Sequence, residues 1–416
     1  MNRIFPGWLV VASVFLILMA NAGLGFYGIA IYLDAITAEQ DLSTTTVSLA
    51  TSVYFVVSGI TGRLLAPVIE RRDIRIVVAI GGVISGIALW LMGQISGATS
   101  LFAIYIVLAV GVGLSGLVPA TTLVTRWFQT KRSVALSVAS TGLSFGGLTF
   151  ARMASALIDR DDLAAAAPWL GVMYAASIAV ALFAMWPNPA SRGLLPDGAQ
   201  RTSSTSKARV MNELSIDYDD AVRTRFFRVI CIGFLLAMGA QVGAISQLAK
   251  LGTERVDRPT GAIAISTIAG VSIIARLIGG VVASRVPIMA MTTVLAVIQS
   301  GGLVLLALAD TRGAIVFGSV VFGFTIGNLL MLQPLIVAEA FGLKAYPRLF
   351  SLQQLVVTAG VAFGPFLLGA LHDLSSYRLS FLVAAGLSIS GAGVLSQSAL
   401  WRPTPERIQR QQVLAA

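Results

Sequence analysis

Residues 8–33 read WLVVASVFLILMANAGLGFYGIAIYL, a run without a single charge. A helix that crosses a bilayer needs roughly 20 mainly apolar residues, and this run is long enough. It is apolar all round, whereas a strand of a membrane barrel shows roughly ten-residue segments of strict alternation. Met19-Ala20-Asn21-Ala22 within it has the small residues of a signal-cleavage site. The apolar run continues past that point to Leu33, so the segment is expected to stay in place as a span.

Eleven more runs of the same kind follow, at residues 44–69, 76–97, 100–125, 134–158, 168–186, 226–248, 260–283, 286–309, 313–337, 349–371 and 379–400. One long polar stretch, 189–225, divides them six and six. It holds Pro189, Pro196, Ser203, Ser204 and Ser206 among mixed charges, which is a linker composition. The expected fold is an all-α polytopic membrane protein, with twelve transmembrane helices in two pseudo-symmetric six-helix halves. The halves are expected at 1–188 and 226–401, with a linker at 189–225 and a tail at 402–416. Residues 211–228 are expected to include a short amphipathic helix at the membrane surface. Composition agrees: 56% of the 416 residues are hydrophobic, 12% are charged, and the mean hydropathy is +0.85. A water-soluble globule of this size would have to cover itself with more polar groups than that.

The net charge of +10 raises the question of nucleic acid. The placement of the charges excludes it. With the N-terminus on one side and the spans alternating, that side takes Arg3, Arg71, Arg72, Arg75, Arg126, Lys131, Arg132, Arg285, Lys344, Arg348, Arg402, Arg407, Arg410 and the basic residues of the middle stretch. The other side takes Arg160, Lys250, Arg255, Arg258, Arg312 and Arg378. This is the positive-inside bias, so both termini are expected in the cytoplasm, with the chain multi-pass in a bacterial inner membrane. No separate basic domain remains for a nucleic acid.

Three arginines fall within the spans. A charge in the hydrocarbon core costs roughly 2.5–3.5 kcal/mol on insertion scales, so it is rarely idle. Gly62-Arg63-Leu64 near the end of span two is similar to Ala275-Arg276-Leu277 near the end of span eight, and Arg71 and Arg285 follow each at the boundary. Arg276 lies about 13 Å along the helix from Arg285, near the midplane. Its guanidinium stays charged and presents a planar fork that suits a carboxylate, so it is the first candidate for substrate contact. A buried arginine satisfied by helix carbonyls is the competing reading. Arg63 is a candidate second cation, or snorkels to the boundary. Arg152 contacts substrate, or pairs with Asp159 seven residues on. Asn21, Tyr27, Gln241 and Asn328 are polar groups at depth that can bond substrate or one another. The sequence places no acid near the midplane to neutralise these arginines, which favours an organic anion as the counter-ion. Glu254 is the candidate for proton coupling, with an ordinary exposed acid as the alternative. Glu70, Arg71, Arg75, Arg126 and Arg132 are candidates for a cytoplasmic gate of charge pairs.

Several strings carry a family resemblance. Span two ends in Gly62-Arg63-Leu64-Leu65-Ala66-Pro67-Val68-Ile69-Glu70-Arg71, with Arg75 after it. Span four ends in Arg126-Trp127-Phe128, with Lys131-Arg132, Ala135 and Gly142 beyond. Gly193-Leu194-Leu195-Pro196-Asp197-Gly198 stands in the middle stretch. Pro334-Leu335, Glu339-Ala340-Phe341-Gly342 and Tyr346 mark span ten, and Gly364-Pro365, Gly369, Asp373 and Tyr377 mark span eleven and its exit. In this order the chain resembles the major facilitator superfamily over nearly its full length, nearest to the branch of monocarboxylate porters and oxalate–formate antiporters. The resemblance implies that Arg276 is that branch's substrate-carboxylate arginine. There are departures. Ala66 and Asp73 stand where the family motif has glycines, and Gln247 stands where many relatives have histidine. Span eleven has no lysine, which argues against oxalate.

The expected function is secondary active transport of a small organic anion, a monocarboxylate first, by alternating access with proton coupling or anion exchange. An exporter of hydrophobic or drug-like compounds is the alternative on the same fold, and it would favour a midplane acid. A monomer in the bilayer is expected, without cofactor or metal. The single histidine, His372, reads as a solvated helix-end residue, and the single cysteine, Cys231, cannot form an internal disulfide. An enzyme would need histidines, carboxylates or an activated nucleophile clustered at depth. No Gly-x-x-x-x-Gly-Lys-Ser/Thr string offers a phosphate loop.

Overall fold

The structure is a computed structural model that describes residues 5–40, 42–198 and 216–401; the tail at 402–416 and residues 199–215 of the middle stretch lie outside the described residues. Among the described residues, twelve helices are long and apolar enough to cross a membrane. They are α1 (Gly7–Thr37), α2 (Thr46–Arg71), α3 (Ile74–Gln94), α4 (Ala98–Trp127), α5 (Arg132–Arg160), α6 (Leu163–Phe183), α7 (Arg225–Arg255), α8 (Arg258–Ala283), α9 (Ile288–Leu308), α10 (Arg312–Phe341), α11 (Tyr346–Leu374) and α12 (Tyr377–Ser398). Large apolar side chains face outward along them: Phe183 is 86% exposed, Leu374 83% and Leu64 72%. Hydrocarbon, not water, is the solvent such a surface suits.

Side-chain caps set several helix starts. Asp73 accepts from the Arg75 N–H, Asp257 from the Thr260 N–H and Thr311 from the Ala314 N–H. Each satisfies an orphan donor of a first turn. Capping also explains a boundary that the apolar run misplaced. α6 begins at Leu163, not at Pro168, because the Asp162 carboxylate accepts from the Ala165 N–H and carries Pro168 into the helix. The amphipathic helix expected within 211–228 is only Tyr218–Arg223 among the described residues, because Thr224 caps a new helix at Arg225.

The chain divides into two compact units, Met1–Thr202 and Ser203–Ala416. The same pairs of helices touch in each. In unit 1, α1 packs on α5 and α6, α3 on α4 and α6, and α2 on α4. In unit 2, α7 packs on α11 and α12, α9 on α10 and α12, and α8 on α10. The first contact depends on glycine in both. A Cβ at Gly23 would sit 2.6 Å from the Gly146 carbonyl oxygen of α5, and one at Gly239 would sit 3.0 Å from the Gly360 carbonyl oxygen of α11. Backbones this close need small residues on both sides.

Both described ends of the middle stretch are folded parts of a unit rather than free linker. In unit 1 the Asp197 carboxylate accepts from the backbone N–H of Gln129 (3.0 Å), Thr130 (2.7 Å) and Lys131 (3.3 Å), and from the Thr130 hydroxyl (2.6 Å). In unit 2 the Ile216 N–H donates to the Phe341 carbonyl, Lys344 pairs with Asp217 at 2.6 Å, and Arg348 lies over the Tyr218 ring.

Candidate functional site

The helices of unit 2 bring three of the sequence's polar residues to one place, the segment Ile326-Gly327-Asn328. That segment is the middle of α10, by its bounds of Arg312 and Phe341. Arg276 comes from α8, where it is 2% exposed. Its side chain lies against Gly327: a Cβ there would stand 2.6 Å from the Arg276 Nε and 2.7 Å from the Ser272 carbonyl oxygen. Only glycine leaves this room. Asn328 donates from Nδ2 to the carbonyls of Ala275 (3.0 Å) and Phe324 (3.0 Å), which ties α10 to the turn of α8 that carries Arg276. Gln241, at the middle of α7, donates from Nε2 to the Ile326 carbonyl at 3.4 Å. The buried acceptors Gln241 Oε1 and Asn328 Oδ1 have no hydrogen-bond partner. Such atoms are costly in an apolar interior unless something fills their valence.

Unit 1 treats its polar residues differently. Asn21 stands at the start of a π-helical segment, Asn21–Tyr27, inside α1. Its Nδ2 donates to the carbonyls of Ile17 (2.9 Å) and Ser115 (3.2 Å), and its Oδ1 accepts from the Tyr174 hydroxyl (3.1 Å). The Ser115 and Tyr174 hydroxyls are 2.9 Å apart. Both amide protons of Asn21 are committed to carbonyls here, which is the interhelix bonding that the sequence offers beside substrate contact. Tyr27 is exposed, with its ring over Gly147 of α5. Arg63 is half-buried on α2, and Arg152 is exposed on α5. Asp159 accepts from the Ser155 hydroxyl at 3.1 Å, and no Arg152–Asp159 ion pair occurs among the described residues. Seven residues are two full turns, about 10 Å along the axis, and a nearer hydroxyl wins.

The candidate gate residues collect at one end of unit 1 and bond within it. Arg126 donates to the Ile69 carbonyl at the end of α2, with the Glu70 and Asp73 carboxylates close enough to act on it. Arg75 grips Asp73 at 2.7 Å and holds that carboxyl below its ordinary range. Arg71 is exposed. Arg132 differs from the others in its contacts. It is buried, and it donates to the carbonyls of Phe128 (3.0 Å) and Thr125 (3.4 Å) at the end of α4. A cation that satisfies the last carbonyls of a helix is a clamp, because those groups have no other partner.

A family profile described as Major Facilitator Superfamily matches residues 14–344 of this fold. The chain belongs to the major facilitator superfamily. Like the family and its fold, it is a multi-pass membrane transporter and not an enzyme. Monocarboxylate transporter 13 of Rattus norvegicus is 25% identical over 415 residues, covering 94% of this chain and 88% of that protein. The MFS-type transporter hasB of Aspergillus fumigatus is 27% identical over 242 residues, about half of each chain (54% and 51%). Among solved structures, the human organic anion transporter MFSD10 superposes with a TM-score of 0.70 at 15% identity, covering 94% of this chain and 98% of that one. The Escherichia coli fucose:proton symporter FucP superposes at 0.71 and 15%, covering 96% and 99%. At such identities these two speak for the fold.

Two further features of this major facilitator escaped the sequence. His372 was read as a solvated helix end, yet its ring lies between the carboxylates of Glu254, at 3.1 Å, and Asp373, at 3.2 Å. Glu254, the coupling candidate, therefore meets His372 of α11 at the end of unit 2. Asp197 and the loop at 129–131 belong to two of the strings that carry the resemblance, and they form one contact. Spacing along the chain signals neither, because both are long-range.

Proposed function

We propose that this transporter carries a small organic anion, a monocarboxylate, by alternating access, and that Arg276 binds its carboxylate. The observation that carries the reading is an arginine 2% exposed within α8, its Nε against Gly327 at the middle of α10, in the same unit as the unpartnered acceptors of Gln241 and Asn328. A guanidinium offers a carboxylate two parallel N–H donors, and in a water-poor site such a bond is both strong and oriented. Stripping water from the arginine is costly, and the anion's own charge offsets that cost. The amide oxygens of Gln241 and Asn328 would accept from a hydroxyl on the same substrate. The relative named for monocarboxylate transport supports the substrate class. The charge asymmetry of the loops supports cytoplasmic termini.

The test is counterflow in proteoliposomes. Vesicles are loaded with one unlabelled mono- or dicarboxylate at a time, and uptake of labelled lactate or pyruvate is followed for wild type and Arg276→Ala. Exchange with a monocarboxylate that is lost in the variant supports the proposal. A folded wild type that exchanges none of the acids overturns it in favour of an exporter of apolar compounds.

A further inference from the structure

Glu254, His372 and Tyr377 come from three helices, α7, α11 and α12, and meet at one end of unit 2. The His372 Nε2 is 3.1 Å from the Glu254 Oε2, and its Nδ1 is 3.2 Å from the Asp373 Oδ1. The imidazole stacks on the Tyr377 ring, with centroids 3.9 Å apart and planes 28° apart. The ring is pinned on two edges and one face, and its side chain is only 27% exposed.

A neutral imidazole has one N–H and one lone pair. It can donate to one carboxylate, and its lone pair then faces the oxygen of the other, which is repulsive. One added proton, on the ring or on a carboxylate oxygen, turns both contacts into hydrogen bonds. No other bond forms or breaks. We propose that Glu254, His372 and Asp373 form a proton-binding site, and that this proton is the one coupled to transport. Filling the site fastens the end of α7 to α11 across the face of α12, and emptying it releases Glu254. The coupling half of the proposal rests on the anion-transport reading above; the proton site does not.

The other charges around the ring leave the cluster to these groups. Arg255, next to Glu254 on α7, turns away to the carbonyls of Ala307 (3.0 Å) and Ala309 (2.8 Å) and to Asp310 (3.2 Å). Lys250 on α7 and Arg378 on α12 are exposed. The Tyr377 hydroxyl shares its ring with the stack, and the carboxylates of Glu254 and Asp373 act on it.

The chain has one histidine, so a single ring reports the site. Full-length protein labelled with 13C,15N-histidine, purified without a histidine tag, is placed in nanodiscs and its ring nitrogens are followed by NMR across pH. The expected result is that Glu254→Gln and Asp373→Asn each lower the ring's protonation midpoint relative to wild type, because each removes a neighbouring negative charge. Identical midpoints in wild type and both variants overturn the site. The second arm measures uptake of the carboxylate against pH. A profile that flattens in His372→Gln supports coupling, and an unchanged profile overturns it. If wild type carries no carboxylate at all, the reading of Arg276 fails, while the NMR arm still decides the proton site.

Discussion

At mid-depth in unit 1, Asn21, Ser115 and Tyr174 bond one another and the surrounding backbone. At mid-depth in unit 2, Gln241 and Asn328 each donate to α10 or α8 and keep a buried oxygen with no partner. Closer to the helix ends, Gln333 of α10 and Gln353 of α11 are 0% exposed with neither amide atom bonded. Among the described residues, side-chain amides with an unbonded buried atom occur only in unit 2. The two units share their helix pairing but not their polar chemistry. A closed network rigidifies a bundle, whereas one with open valence is expensive unless a ligand completes it. The difference fits the proposed recognition of substrate by unit 2, although unit 1 also holds buried hydroxyls without a partner, at Ser85 and Tyr105.

The largest test sets the two arginines at corresponding positions against each other. Arg276→Ala should lower counterflow about 100-fold, the scale of losing one partner of a buried charge pair, while Arg63→Ala should stay within about threefold. Equal losses would break the contrast. Next is the floor under Arg276. Gly327→Ala inserts a methyl group 2.6 Å from its Nε and should weaken substrate affinity about 10-fold through overpacking. Gly270→Ala on α8, where nothing lies within 4 Å, should leave affinity alone. A smaller and opposed pair follows. Asn21→Ala takes one partner each from the Ser115 carbonyl and the Tyr174 hydroxyl and should cost about 1–3 kcal/mol, seen as a lower thermal midpoint with affinity kept. Gln241→Leu removes an unbonded oxygen together with one long hydrogen bond, 3.4 Å to the Ile326 carbonyl, so affinity should fall while the thermal midpoint moves little.

The smallest effect is at the end of unit 1. The Asp73 carboxyl is held below its ordinary value of 3.8, chiefly by its hydrogen bonds from Arg75. A lowered value means that the pair's stabilisation is present above pH 3.8 and fades as pH falls through the folded value. Solvent screening keeps it under about 1 kcal/mol. Thermal melting from pH 6 to pH 3 should therefore show a slightly shallower loss in Asp73→Asn than in wild type.

Much of this was legible in the chain. The runs at 8–33 and after gave the spans, since twenty apolar residues have no other use in water or lipid, and the cost of a charge in hydrocarbon singled out Arg276. The caps that moved α6 back to Leu163 were present in the letters too, because Asp162 stands three residues before Ala165. What escaped was the direction in which a boundary side chain turns, and the contacts between distant residues. Arg132 is a boundary cation by position, and nothing in its spacing says that it turns inward to Thr125 and Phe128. His372 and Glu254 are 118 residues apart, and Asp197 and Thr130 are 67 apart.

The sequence by itself determined that the chain lies in a membrane, how many times it crosses and which charges it carries at depth, because transfer from water to lipid is a local property of each segment. The tertiary structure alone decided which of those polar groups satisfy one another and which are left with an unpartnered oxygen. That depends on how closely two backbones approach, and here the approach is set by glycines at positions such as Gly327 that carry no chemistry of their own.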